Sequence, residues 1–171
     1  QVVNEYDESE IIRLLNEYGE VKGAHRVAQA ICMKRKNEKI KTTGQLIEVI
    51  RPFAPKFKEN KFYAQVFQAI RVEVNDEMNA LKKMVEQAAE LLKPKGRLVV
   101  MAYHSLEDRL IKNYMKRGSF DGKIEKDFFG NVIKPFNEVL RKPLVPSEEE
   151  IERNPRARSA KLRIAERNEE K

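Results

Sequence analysis

The sequence predicts an α/β protein: part of a doubly wound sheet of about three strands, joined to a small all-helical unit. Three observations predict it. The continuous apolar run Leu98-Val99-Val100-Met101-Ala102 leads at once into a helix-capping pattern at Ser105 and Asp108, the strand–turn–helix order of open α/β sheets. Residues 1 to about 61 carry helical periodicity and no strand pattern. From Ser159 to Glu166, Ala160, Leu162 and Ile164 alternate with Lys161 and Arg163, which predicts a half-buried strand.

The elements follow in order. Asp7 and Glu10 form a capping box before a helix with Ile11, Leu14, Leu15 and Tyr18 on one stripe, and Gly19 stops it. A second helix buries Ala24, Val27, Ala28 and Ile31 and ends on Lys34, Arg35 and Lys36, whose charges complement its dipole. Thr42 and Gln45 open a third, which Pro52 closes. Arg51 to Lys61 reads as a loop rich in proline and lysine. A longer helix from near Asn60 breaks around Val74-Asn75-Asp76, and another runs from about Glu77 to Lys93. Pro94-Lys95-Gly96 turns into the Leu98–Ala102 strand, which is expected to be interior and parallel because it is apolar on both faces. The stretch from Gly118 to Phe136 is an irregular loop whose four phenylalanines (Phe120, Phe128, Phe129, Phe136) are expected to anchor it. Asn137 to Lys142 is a candidate strand. Ser147 and Glu150 cap a short helix ended by Asn154-Pro155, and Asn168 to Lys171 form a solvated tail.

Composition narrows the function. The chain has 171 residues, 41% hydrophobic and 36% charged, with a net charge of +7. That balance supports a helix-rich, solvated core and favours a polyanionic partner, against the plainer reading of a generally basic soluble protein. No apolar run reaches the ~18 residues of a membrane span. One cysteine, Cys32, excludes a disulfide framework and suits a buried cytosolic thiol. Two histidines and one cysteine make no usual zinc site, so no metal is expected. The seven glycines are isolated, so there is no dinucleotide or P-loop fingerprint. A strand apolar on both faces needs neighbours on each side, since unpaired buried amides cost about 1–3 kcal/mol each. The C-terminal strands supply one side only. The sheet is therefore expected to be incomplete, its open edge pairing with another chain, including a second copy of this one, or hidden by rearrangement. The chain opens on Gln1, so a cut or processed polypeptide is expected.

Three motifs stand in one order: Phe67-Gln68-Ala69-Ile70-Arg71-Val72-Glu73-Val74-Asn75-Asp76-Glu77, then Tyr103-His104-Ser105-Leu106-Glu107-Asp108-Arg109, then Arg141-Lys142-Pro143 with Pro146 to Ile151 and Asn154-Pro155-Arg156-Ala157-Arg158-Ser159-Ala160-Lys161-Leu162-Arg163. They closely resemble the bacterial 16S ribosomal RNA cytosine-N4 methyltransferase family. The resemblance covers the whole chain but only the C-terminal portion of that family's length. It implies a cytoplasmic, S-adenosylmethionine-dependent enzyme with a Rossmann-like sheet and an inserted helical substrate domain. Its substrate would be the N4 amine of a decoding-region cytidine in small-subunit RNA. Residues 1–61 would be most of the insert and 62–171 the C-terminal half of the catalytic domain. The family's glycine-rich cofactor loop and ribose-holding acid match no residue here. The chain alone is therefore expected to be inactive and to bind no cofactor. The competing reading is a non-enzymatic basic RNA-binding module or adaptor.

His104 lies where the strand ends. It is the candidate for contacting the target nucleotide or shuttling a proton, against a role in fixing the strand–helix turn. Ser105 reads as an N-cap, and Glu107 and Asp108 as acids favoured at a helix start. Arg71, Glu73 and Asn75 either face the substrate cleft or bind one another. Arg156, Arg158, Lys161 and Arg163 form the densest basic stretch, with Lys161 and Arg163 on one strand face, either toward phosphates or toward solvent. Lys56, Lys58 and Lys61 make a second basic loop without sequence discrimination.

Overall fold

The computed structural model describes residues 1–169. They form two compact units, Gln1–Glu77 and the residues from Met78 onward. Phe62, Val66 and Ala69, beyond the 61/62 boundary of the sequence reading, belong to the first unit's core.

The first unit is all helical: α1 (Val2–Glu5), α2 (Glu8–Glu17), α3 (Ala24–Asn37), α4 (Thr43–Ile50) and α5 (Glu59–Val74). Both predicted capping boxes form, Asp7 with Glu10 and Thr42 with Gln45. Leu14, Leu15, Val27, Ile31, Ile50 and Val66 are almost fully excluded from water, and Cys32 is buried beside them. Gly19 stops α2 for a different reason than a left-handed turn. A Cβ there would lie 2.7 Å from the Gln65 carbonyl, so only glycine admits α5 that close. Helix α1 is too short to show a period, and the Asn4 side chain ties it down. Its Oδ1 accepts from the Ile40 amide at 2.9 Å and its Nδ2 donates to the Ile40 carbonyl at 2.8 Å. Arg51–Lys61, read as loop, contains a 3-10 turn at Arg51–Phe53 and the start of α5 at Glu59.

The second unit contains α6 (Glu77–Leu91), β1 (Arg97–Ala102), α7 (Ser105–Arg117), β2 (Phe136–Glu138), α8 (Glu148–Arg153) and β3 (Lys161–Arg167). A 3-10 turn at Pro155–Ser159 precedes β3. The three strands run in the order β1-β3-β2, and both pairings are antiparallel. The antiparallel pairing corrects the expected parallel one, and among the described residues β1 is an edge, on the open side that an incomplete sheet implies. Leu98 stands opposite Ala165, Val100 opposite Arg163 and Ala102 opposite Lys161. Their face packs on Val85, Ala89, Ile111, Met115 and Phe136. The opposite face carries Val99 and Met101, each about half exposed at 54% and 51%. The apolar pattern on both faces is real, but only one face is covered among the described residues.

The candidate strand at Asn137–Lys142 shrinks to Phe136–Glu138. Val139 and Leu144 still bond β3 through Ile164 and Leu162. Of the four loop phenylalanines, two anchor. Phe120 stacks on Tyr114 at 4.5 Å, and Phe136 is fully buried. Phe128 and Phe129 instead stand exposed at a hairpin tip, where Asp127 Oδ1 accepts from the Phe129 and Asn131 amides. Asn168 is not solvated tail: its amide donates to the Pro135 carbonyl and its Nδ2 to the Lys134 carbonyl. Glu170 and Lys171 lie outside the described residues.

Candidate functional site

The carboxyl end of β1 is locked by a reciprocal cap, one residue earlier than the sequence pattern suggests. His104, not Ser105, is the N-cap of α7. It has the extended backbone a cap requires, and its Nδ1 accepts from the Glu107 amide at 3.4 Å. Glu107 Oε2 in turn accepts from the Tyr103 amide at 2.9 Å and the His104 amide at 3.4 Å. Ser105 is the first helical residue. The histidine's Nε2 lies 3.2 Å from Glu107 Oε1, near enough for charge attraction but off the angle of a hydrogen bond, and it is otherwise unpartnered. With Nδ1 accepting, the neutral tautomer carries its proton on Nε2. The His104 imidazole, then the Tyr103 amide, hold the Glu107 carboxyl below its usual range against the opposing effect of burial.

The adjacent acid does different work. Asp108 is buried and receives Arg163 Nε at 2.7 Å and Lys161 Nζ at 3.1 Å. Burial pushes its carboxyl up, but Arg163 and Lys161 together outweigh that and hold it low. The pairing clamps the first turn of α7 onto β3. Of the two cations read as facing phosphates or solvent, Arg163 is turned inward by this pairing, while the Lys161 side chain stays 41% exposed. They share a strand face as the alternation indicates, and the Arg163 side chain is only 10% exposed.

Beside the cap, a cleft of about 340 Å³ opens on the uncovered face of the sheet, lined by Met101, Tyr103, Leu144, Pro146, Glu150 and Asn154. Ser147 caps α8 along its rim by accepting from the Glu150 amide, as its spacing predicts. Arg156 and Arg158 are exposed on the 3-10 turn that follows and form no ion pair among the described residues. They remain the outward-facing half of the basic stretch.

Arg71, Glu73 and Asn75 belong to the first unit and do not act as one cluster. Arg71 grips Glu77 with two parallel bonds of 2.9 and 3.1 Å, and Asn75 Nδ2 donates to the same carboxylate at 3.1 Å. Glu73 turns instead to Arg13, with both oxygens within 3.3 Å of its Nη2. The sequence reading missed Glu77 and Arg13 as their partners, and it missed the Asp108 clamp. The signal for the clamp was available: two cations alternating on one strand face and an acid one turn into the preceding helix.

Residues 1–168 match the model of the MraW methylase family, and the chain belongs to that family. Among curated relatives it is 55% identical to the ribosomal RNA small subunit methyltransferase H of Parabacteroides distasonis. It is 53% and 52% identical to the proteins of the same name from Bacteroides thetaiotaomicron and Cytophaga hutchinsonii. Each match takes in 97% of this chain but only 54–55% of the relative. The chain thus spans about half the length of the curated relatives it matches.

No two glycines stand in Gly-x-Gly spacing. The acid nearest the end of β1, Glu107, is committed to the cap through both oxygens, Oε2 to the two amides and Oε1 beside the imidazole. No helix is long and apolar enough to cross a membrane, and no group of three or more His, Cys, Asp or Glu among the described residues is placed to hold a metal.

Proposed function

We propose that this chain is the part of an S-adenosylmethionine-dependent enzyme that presents and positions small-subunit ribosomal RNA for methylation at the N4 amine of a decoding-region cytidine. The helical unit is the inserted substrate-recognition part, and the sheet unit is the C-terminal half of the catalytic domain. The observation that carries this reading is the match over residues 1–168, joined to a sheet with one apolar face and one edge uncovered. An exocyclic cytosine amine is a poor nucleophile because its lone pair is delocalised into the ring. Transfer to it depends on fixing the base in line with the donor methyl group. The rigid cap at His104 and the clamp at Asp108 suit that positioning, with the cleft beside Tyr103 as the place a base would enter.

His104 is a positioning residue in this reading. Its Nδ1 lone pair is spent on the Glu107 amide and its Nε2 faces a carboxylate, so it holds the turn and does not shuttle a proton. S-adenosylmethionine is held by the length of the relatives that this chain does not span, and that length completes the sheet at the open edge of β1 while leaving the cleft beside Tyr103 accessible. The chain alone therefore transfers no methyl group.

The test is a chimera joining this chain to the portion of the Parabacteroides relative that it does not span. Both proteins are incubated with tritiated S-adenosylmethionine and undermethylated small subunits. The chimera is expected to label 16S RNA at one cytidine, located by mass spectrometry, while the chain alone labels nothing. Label on another base, or labelling by the chain alone, contradicts the reading.

A further inference from the structure

Phe57 sits in a place that packing does not explain. Its side chain is 96% exposed, and its backbone φ of 65° lies in the left-handed region that glycine favours. It occupies the third position of a turn closed by the Lys58 amide donating to the Pro55 carbonyl at 3.1 Å. Glu59 Oε1 holds the turn by accepting from the Phe57 amide at 3.1 Å. A bulky residue kept in a strained conformation without a buried contact is the pattern of a binding element.

The surroundings name the ligand's chemistry. Next to the turn lies a cleft of about 330 Å³ lined by Lys22, Lys58 and Lys61, with Pro55 and Phe62 as its apolar part and Glu20 as its single acid. Lys56 flanks Phe57 on the other side. None of these lysines joins an ion pair among the described residues. A solvent-facing aromatic ring beside a cationic groove is how proteins hold single-stranded nucleic acid: the ring stacks on an unpaired base and the cations track its phosphates.

We propose that Phe57 is a stacking platform for an unpaired base of single-stranded RNA, with Lys22, Lys58 and Lys61 binding the flanking phosphates. The proposal rests on the ribosomal RNA reading above and adds to it a sequence-tolerant contact on the helical unit. The RNA strand is held there by backbone charge and one stacked base, leaving base discrimination to another part of the enzyme.

The experiment is fluorescence anisotropy of the 171-residue chain with a labelled 10-nucleotide single-stranded RNA, repeated over a salt series. Phe57→Ala is expected to weaken binding about 5- to 150-fold, the range for loss of one base–aromatic stack, and Phe57→Trp to preserve it. Phe57→Gly should bind as poorly as Phe57→Ala yet melt no lower than the parent, since glycine relieves the backbone. Lys58→Ala with Lys61→Ala should reduce the slope of log affinity against log salt by about 0.7 per lysine removed. Unchanged affinity for Phe57→Ala, or no binding of the RNA by the parent chain, overturns the proposal. So does Phe57-dependent binding to phosphatidylglycerol vesicles with RNA binding indifferent to Phe57. None of these results touches the methyl-transfer assay of the chimera, which decides the enzyme reading separately.

Discussion

The helical unit and the sheet unit use apolar residues in opposite ways. In the first, five helices close around Leu14, Leu15, Ile31, Ile50 and Val66, and nearly all of their apolar stripes are inside. In the second, α6 and α7 cover one face of the sheet, while Val99, Met101, Tyr103, Leu144 and Val145 stay at least half exposed. Contiguous exposed apolar surface of this kind marks an interaction site. The register sharpens the contrast. Arg167 donates to the Gly96 carbonyl, while Leu162 exchanges bonds with Leu144 on the other side of β3. By antiparallel alternation, Leu98, Val100 and Ala102 bond β3, and the amides of Arg97, Val99 and Met101 point to the open edge. A closed helical unit thus adjoins in sequence a sheet unit that leaves one apolar face and one edge uncovered among the described residues.

The largest expected effect comes from breaking the covered face. Phe136→Ala should cost the sheet unit about 3–5 kcal/mol, because a fully buried ring leaves a cavity. Hydrogen exchange read by mass spectrometry should show protection falling in peptides after Met78 and persisting in the helical unit. Equal loss in both would dissolve the distinction between the two units.

Next is the clamp. Asp108→Ala strands Arg163 as a buried unpaired cation and should cost about 3 kcal/mol, whereas replacing Asp108, Lys161 and Arg163 together with apolar residues of similar volume should cost far less. The pH dependence has a definite sign. The folded Asp108 carboxyl titrates below its ordinary 3.8, so the unfolded chain takes up the proton first as pH falls. The clamp's contribution is whole above that value and is lost as pH drops through the lower folded one. Urea midpoints should therefore fall more steeply below pH 3.8 in the parent than in the apolar triple variant.

A smaller effect separates capping from chemistry at His104. His104→Ala should cost about 1 kcal/mol by losing the cap, and His104→Asn, a good N-cap, should restore most of it. In the chimera, methyl transfer should follow the same order. A chimera with His104→Asn that is stable but inactive would show that the imidazole itself takes part in the reaction.

The smallest effect belongs to the open face. Val99→Lys with Met101→Lys should change the isolated chain's stability by no more than about 0.5 kcal/mol, since both side chains are already half in water. The same pair should prevent assembly of the chimera's sheet. Light scattering adds a check on the edge: a monomeric parent leaves it for the rest of the enzyme, and a dimer abolished by the two lysines assigns it to a second copy.

Much of this was legible in the sequence where the signal is local. The Asp7 and Thr42 capping boxes, the Ser147 cap and the break after Val74 all depend on residues a few positions apart, and they form as read. The strand run was legible too, but its neighbours were not. Apolar residues on both faces say that a strand is meant to be buried, not which elements bury it or in what direction they run. The cap at β1 slipped by one residue because Ser105–Asp108 and His104–Glu107 fit the same spacing. A long-range contact, Asp108 with β3, decides between them. For the same reason the sequence left Lys161 and Arg163 open between phosphates and solvent, since their Asp108 partner lies more than fifty residues away. Phe57 carried no periodic signal at all. Its exposure and left-handed backbone are visible only in three dimensions.

The most direct test of the account is calorimetric titration of S-adenosylmethionine into the chain and, in parallel, into the chimera completed from the Parabacteroides relative. Saturable binding by the chimera and no heat of binding from the chain alone are expected. Saturable binding by the chain alone would contradict the account, and would place the cofactor among the residues at the end of β1.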